Sequence, residues 1–130
     1  MENLPAGVRD ALEHDLTIDI TTIGRKTGEP RQIEIWFLNV DGAVYITGTP
    51  GKRDWYANLL SEPRFTFHLK ESLSAELQAV ATVVDDLEQR QRVFESADAH
   101  WYRANDDGGE MIATAPMIRV TFPDQAAPSF

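Results

Sequence analysis

The 130-residue chain predicts an α+β, mainly β fold, an antiparallel barrel, closed or partly closed, with a short helix after the third strand and a longer helix before the last. Three observations carry this expectation. Apolar residues recur at every second position along several short runs, which is the period of a half-buried strand. Asp41-Gly42 joins two such runs. The order of strands, short helix, strands, longer helix and strand contains no repeating βαβ unit, which disfavours a doubly wound parallel sheet.

Residues 8–14 read as a short helix, after which Leu16, Ile18 and Ile20 alternate with Thr17, Asp19 and Thr21 in a first strand. Gly24-Arg-Lys-Thr-Gly-Glu-Pro30 gathers glycine, proline and charge into a turn. Alternation resumes with Ile33, Ile35 and Phe37 on one side and Trp36 and Leu38 on the other, a second strand expected to be partly covered on both faces. Glycine accepts positive φ without a Cβ clash, so Asp41-Gly42 should turn this strand into an antiparallel third over 43–47. Asp54 is expected to cap a helix over 55–60, which Ser61 and Pro63 stop. Phe65, Phe67 and Leu69 mark a fourth strand, and Ala75, Leu77, Ala79, Ala81 and Val83 a fifth with mostly small inward residues. From Asp86 the period becomes helical: Leu87, Val93, Phe94, Ala97 and Trp101 share one stripe while Glu88, Arg90, Arg92 and Glu95 fall elsewhere. That helix runs for about four turns. Residues 105–110 form a polar loop, 117–122 a last strand, and 124–130 a frayed tail.

With 42% hydrophobic residues the chain can bury one sizeable core, so 1–130 is expected to be one domain, with 1–14 as an N-terminal helical arm. Cysteine is absent, which excludes a disulfide, a thiolate nucleophile or a cysteine metal site. No basic segment precedes an apolar stretch at the N-terminus, and no apolar run approaches the ~18–20 residues that span a bilayer, so a soluble cytoplasmic protein without stable membrane insertion is expected. A net charge of −9 argues against nucleic-acid partners. The charge is uneven, however. Residues 24–53 hold Arg25, Lys26, Arg31, Lys52 and Arg53 against Glu29, Glu34 and Asp41. A cationic patch on an acidic body suits a small anionic ligand, although solvated basic turns would look the same on charge alone.

Two clusters could carry chemistry. In the first, from Thr21 to Arg31, glycines allow backbone N–H groups close to an anion, and arginine offers paired donors to phosphate or carboxylate oxygens. It is not a GxxxxGK[ST] loop, and a plain basic hairpin turn fits as well. The second, from Thr49 to Asn58, combines a loop, Lys52 and Arg53 with a helix N-terminus, whose partial positive charge favours anions. If the barrel brings the two together, they clamp one anionic group from two sides. Trp55 could equally pack in the core and Asn58 satisfy a backbone carbonyl. His14, His68 and His100 show no ligand-type partner at i+3 or i+4, so no metal site is expected. No serine nucleophile elbow or paired-carboxylate motif supports hydrolysis.

The run Thr22-x-Gly-Arg-Lys-Thr-Gly-x-Pro-Arg31, the Asp41-Gly42 turn, and Trp55-Tyr56-x-Asn58-Leu59 followed by Pro63 resemble the deazaflavin-dependent nitroreductase family. That family lies within the flavin-binding split barrels related to pyridoxamine phosphate oxidase. The similarity covers residues 16–69, about half the chain.

The resemblance implies a split barrel that binds coenzyme F420, whose reduced ring gives a hydride to a small hydrophobic acceptor such as a quinone, enone or nitro compound. It places Arg25, Lys26 and Arg31 at the anionic tail or phosphate. Thr49, Gly51, Lys52 and Arg53 would meet the phosphate and ring edge, with Gly24, Trp55 and Asn58 completing the pocket. The coenzyme carries the redox step, so no acid–base dyad need be visible. The 49–55 loop is shorter than the family's usual one, with Pro50 where a basic or polar residue is common. The family's acceptor-site tyrosines have only Trp101 and Tyr102 as positional counterparts, and no catalytic residue stands out. Two other readings keep the cationic clamp: an FMN-binding oxidoreductase, and a non-catalytic carrier of the coenzyme. Apolar residues on both sides of the 33–40 segment permit a homodimer.

Overall fold

The architecture comes from a computed structural model that describes residues 4–48, 53–95 and 114–123. Helix α1 (Ala6–His14) buries Val8, Ala11 and Leu12 and leads into β1 (Thr17–Ile23), whose alternation puts Ile18, Ile20 and Thr22 inward. β2 (Pro30–Trp36) folds back on β1 with Ile23 opposite Pro30 and Thr17 opposite Trp36. The expected second strand then breaks. Phe37 leaves the ladder, its N–H donates to the Leu16 carbonyl at 3.0 Å, and the chain restarts as β3 (Leu38–Val40). β3 pairs with β4 (Ala43–Thr47) across Asp41-Gly42, both at positive φ (53° and 86°), which is the twist a tight hairpin needs. Asn39 fixes this turn by accepting the Gly42 N–H at 3.0 Å.

After α2 (Asp54–Ser61), β5 (Arg64–Leu69) pairs with β1 and with β6 (Ala75–Val83). Helix α3 (Leu87–Glu95) follows, and β7 (Met117–Thr121) inserts between β6 and β4. The resulting order is β2-β1-β5-β6-β7-β4-β3. Its two outermost strands, β2 and β3, are separated in sequence by Phe37 alone, so they lie within about 8 Å of each other, the reach of two Cα–Cα steps. A seven-stranded sheet whose edges must meet this closely has to curl, which gives the expected mainly β, partly closed barrel.

Ile18, Ile20, Val44, Ile46, Phe67, Leu69 and Ile118 fill the interior, all at 0–2% exposure. Phe37 plugs it, meeting Phe67 edge-on at 5.5 Å, and Phe67 meets Phe122 likewise at 5.2 Å. On the opposite face of β4 and β7, Tyr45 and Met117 pack with Val84, Val93 and Phe94 in a second cluster under α3.

The structure corrects four local expectations. The single strand through Phe37 is two strands, on opposite edges, because Phe37 turns inward between them. β2 is not covered on both faces: Ile33 is 38% and Trp36 50% exposed on this edge strand. Arg90, assigned to the polar side of its helix, is buried. Its guanidinium donates to the Val84 carbonyl at 2.7 Å and to the Ala115 carbonyl, tying the segment after β6 to the one before β7. Burial pulls its pKa down, while Tyr56 and Asp85 favour the charged form. Finally, His14 does have a ligand-type partner one turn away, Asp10. Asp10, Glu13 and His14 share an exposed face of α1, and His14 Nδ1 lies 3.2 Å from Asp10 Oδ1.

The outer face of the sheet holds a charge cluster with a measurable consequence. Asp19 and Glu34 sit opposite each other on β1 and β2, where like charges repel. The Lys70 ammonium bridges them, 2.8 Å from Asp19 Oδ1 and in contact with Glu34 Oε2. The hydrogen bond from Lys70 holds the Asp19 carboxyl below its ordinary pKa against the opposing effect of burial, helped by Gln32 donating at 3.2 Å. A carboxyl depressed in the folded state adds stability that is present above its unfolded value and lost as pH falls below about 4. Lys70→Met should therefore lower stability at neutral pH and flatten its decline on acidification. Urea unfolding from pH 6 to pH 3 measures this, and an unchanged slope would show that Lys70 does not set the Asp19 titration. On the same face His68 Nε2 lies 2.7 Å from Thr21 Oγ and Nδ1 3.5 Å from Glu76, a structural bridge between strands.

Candidate functional site

The 24–29 turn between β1 and β2 is closed by its own backbone: the Gly24 N–H donates to the Glu29 carbonyl and the Gly28 N–H to the Gly24 carbonyl, each at 2.8 Å. Gly28 has φ 72°, a left-handed value that glycine adopts without strain. A Cβ on Gly24 would lie 2.9 Å from Thr27 Oγ, the atom that accepts the Glu29 N–H. The turn is thus compact and specific to this residue pattern.

Helix α2 docks against it. Asn58, 4% exposed, accepts the Arg25 backbone N–H at 3.1 Å and Arg25 Nη1 at 3.0 Å, and donates from Nδ2 to Thr22 Oγ at 3.3 Å. One amide thereby fastens the basic turn to the helix across 33 positions of sequence. Arg25 Nη2 also reaches Asp54 Oδ1 at 3.3 Å. Asp54 is the first residue of α2, and no side-chain hydrogen bond caps the helix at Arg53, so the expected cap is replaced by this ion pair.

Between turn and helix lies a cleft of about 430 Å³. Gly24, Arg25, Lys26 and Thr27 line one wall, Thr22, Arg31 and Ile33 the floor strands, and Asp54, Trp55 and Asn58 the helix side. Thr22 and Arg31 are there together because they are cross-strand partners and so share a face. Among the described residues no hydrogen bond or ion pair holds the Lys26 ammonium or the Arg31 guanidinium. The cleft thus joins a cationic end to an apolar wall of Ile33 and Trp55, the latter 7% exposed and edge-on to Tyr56 at 5.8 Å. Its size falls in the ~300–1,000 Å³ range of small-molecule sites.

Of the residues singled out from sequence, Gly24, Arg25, Lys26, Arg31, Trp55 and Asn58 all line this one cleft. Arg53 does not line it; its Nε lies 3.7 Å from where a Gly48 Cβ would stand. Thr49, Gly51, Lys52, Trp101 and Tyr102 lie outside the described residues. Sequence reasoning omitted Ile33 as a lining group, and within its two clusters it did not single out Thr22, Thr27 or Asp54. Register against β1 was the available signal for Ile33, and Asp54 was read only as a cap. A phosphate-bearing, ring-containing coenzyme fits the cleft: unpartnered cations and a glycine turn suit an oxyanion, and Ile33 with Trp55 suits a flat apolar ring.

Comparison with known proteins agrees. A family model described as F420H(2)-dependent quinone reductase matches residues 4–113. Among solved structures, a conserved hypothetical protein of Mycobacterium tuberculosis superposes with a TM-score of 0.71 at 21% identity, covering 92% of this chain and 80% of that one. A FAD-binding protein of Mesorhizobium loti gives 0.66 at 16% identity, covering 92% and 91%. A structure described as an F420 reductase gives 0.61 at 18% identity, covering 94% of this chain and 100% of that one. These likenesses establish the split-barrel fold. No helix among the described residues is long and apolar enough to cross a membrane.

Proposed function

Because the chain belongs to the F420H(2)-dependent quinone reductase family, and is on that ground an F420-dependent oxidoreductase, we propose that the cleft between the 24–29 turn and α2 holds the coenzyme and that a quinone is the acceptor. The observation that carries this reading is the Asn58 amide, which joins Thr22 and Arg25 to α2 and so converges the two motif segments on one cationic cleft. When bound, F420H(2) supplies the hydride. The chain's own part is binding and orientation. Lys26 and Arg31 meet the coenzyme's anionic groups, Thr27 and the 24–29 backbone hold an oxyanion, and Ile33 with Trp55 offers a face for the ring. Arg25 and Asn58 keep the turn in position. Thr49, Gly51 and Lys52 complete the anion site in this reading, with Arg53 outside the cleft, and Trp101 and Tyr102 border the acceptor. Enones and nitro compounds share with quinones an electrophilic, flat, apolar body and form the wider acceptor class. The exposed edge strand β2, with Trp36 half exposed on it, supports pairing into a homodimer.

Titrating the purified protein with coenzyme F420 and following ring fluorescence tests the reading. Saturable binding at micromolar concentration is expected, followed by menadione-dependent oxidation of F420H(2). A flat titration, or protein that purifies yellow with bound FMN, would overturn it. Binding without turnover across quinones and nitroaromatics would select a carrier instead.

A further inference from the structure

The cleft contains one group that the proposed function does not use and that opposes it. Asp54 lines a site otherwise furnished with Arg25, Lys26 and Arg31, and its side chain is 90% exposed. Of the acceptors that hold the Arg25 guanidinium, one is neutral and buried, Asn58 at 3.0 Å, and the other is this exposed carboxylate at 3.3 Å. The two contacts differ in what breaking them costs. Asn58 is 4% exposed and its oxygen also accepts the Arg25 backbone N–H, so leaving it strands a buried acceptor. The Asp54 pair is exposed and screened, and either partner can return to water with little loss.

We infer that Asp54 is a specificity-determining residue, an internal anion that occupies Arg25 while the cleft is free of ligand and that an entering oxyanion must displace. This rests on the proposed reading of the cleft as an anion site. A carboxylate in that position acts in two ways. It competes for one edge of the Arg25 guanidinium, and it repels any ligand anion nearby. A ligand bearing one negative charge exchanges one ion pair for another and gains little. A ligand with several adjacent charges engages Lys26 and Arg31 as well, and among the described residues neither has such a competitor. Asp54 thus raises the number of charges a ligand needs before it binds tightly, a threshold that a polyanionic tail passes and simple phosphate does not. Its position as the first residue of α2 adds a second effect: the carboxylate offsets the partial positive charge of the helix N-terminus, which would itself attract small anions.

Asp54→Asn keeps the shape and removes the charge. It should bind coenzyme F420 about three- to tenfold more tightly, as expected for removal of one partly screened like charge. The gain should shrink from 20 mM to 300 mM salt, and FMN should also bind the variant more tightly. Asp54→Glu, which keeps the charge, should bind as the wild type does. Inorganic pyrophosphate, titrated calorimetrically into each protein, reads the same effect without the coenzyme and should also bind Asp54→Asn more tightly. A flat F420 titration with tighter pyrophosphate binding by Asp54→Asn would overturn the coenzyme reading and uphold the role of Asp54. Unchanged or weaker binding of both probes by Asp54→Asn, at an unchanged melting temperature, would overturn the role of Asp54. The high exposure of the side chain keeps folding out of the comparison.

Discussion

Phe37→Ala should lower the unfolding free energy by about 3–5 kcal/mol, the usual cost of deleting a buried aromatic ring. Phe37 is 1% exposed and carries two duties at once. Its ring fills the barrel centre against Phe67, which in turn meets Phe122, so truncation opens a void where several strands converge. Its backbone is the only link between β2 and β3, the outer strands of the sheet. Losing the ring therefore also loosens the point at which the sheet is held curled. Urea unfolding followed by tryptophan fluorescence measures the effect through the transition midpoint. Phe37→Leu, which keeps most of the volume, should cost under about 1.5 kcal/mol. If the alanine variant costs no more than the leucine one, the ring is not what holds the barrel together.

Arg31→Glu should weaken coenzyme F420 binding at least a hundredfold. A charge-assisted hydrogen bond to a ligand oxyanion contributes about 1.5–3 kcal/mol, and reversing the sign adds repulsion to that loss. Since about 1.4 kcal/mol is tenfold in affinity, two orders of magnitude follow. Arg31 is exposed on edge strand β2, so the melting temperature should hardly move. Arg31→Lys should recover part of the affinity, because a point charge replaces a planar fork. Fluorescence titration of the three proteins decides it: less than a threefold loss in Arg31→Glu would mean that Arg31 does not touch the coenzyme.

Much of this was legible in the chain, and the limits have physical causes. Strands that bury one face could be read because Ile18 and Ile20, or Phe65 and Phe67, betray the period directly. The Asp41-Gly42 hairpin was equally plain, since its φ values are set locally. The break at Phe37 was hidden because its apolar side chain continues the alternation on either side, while the choice of a partner strand is made by distant residues. Arg90 looked like a solvated charge because the carbonyls it satisfies, at Val84 and Ala115, come from either side of its helix. In the site, the basic turn could be read because Gly24 through Arg31 are contiguous. Its meeting with α2 was only an expectation, carried by motif resemblance, because the Asn58 contacts that make it real span 33 positions. Asp54 was misjudged for a related reason: a carboxylate at a helix start normally serves that helix, and here it faces Arg25 instead.

The placement of β7 between β6 and β4 bears on how the molecule is made. During synthesis the ribosome releases β4 and β6 well before residues 117–121, and until then each presents an unpaired edge. Such edges are templates for intermolecular pairing. The nascent chain therefore cannot close its barrel until residues 117–121 have emerged. Chains stalled before residue 117 should be caught by chaperones or aggregate, whereas chains in which β7 has emerged close by a long-range pairing step.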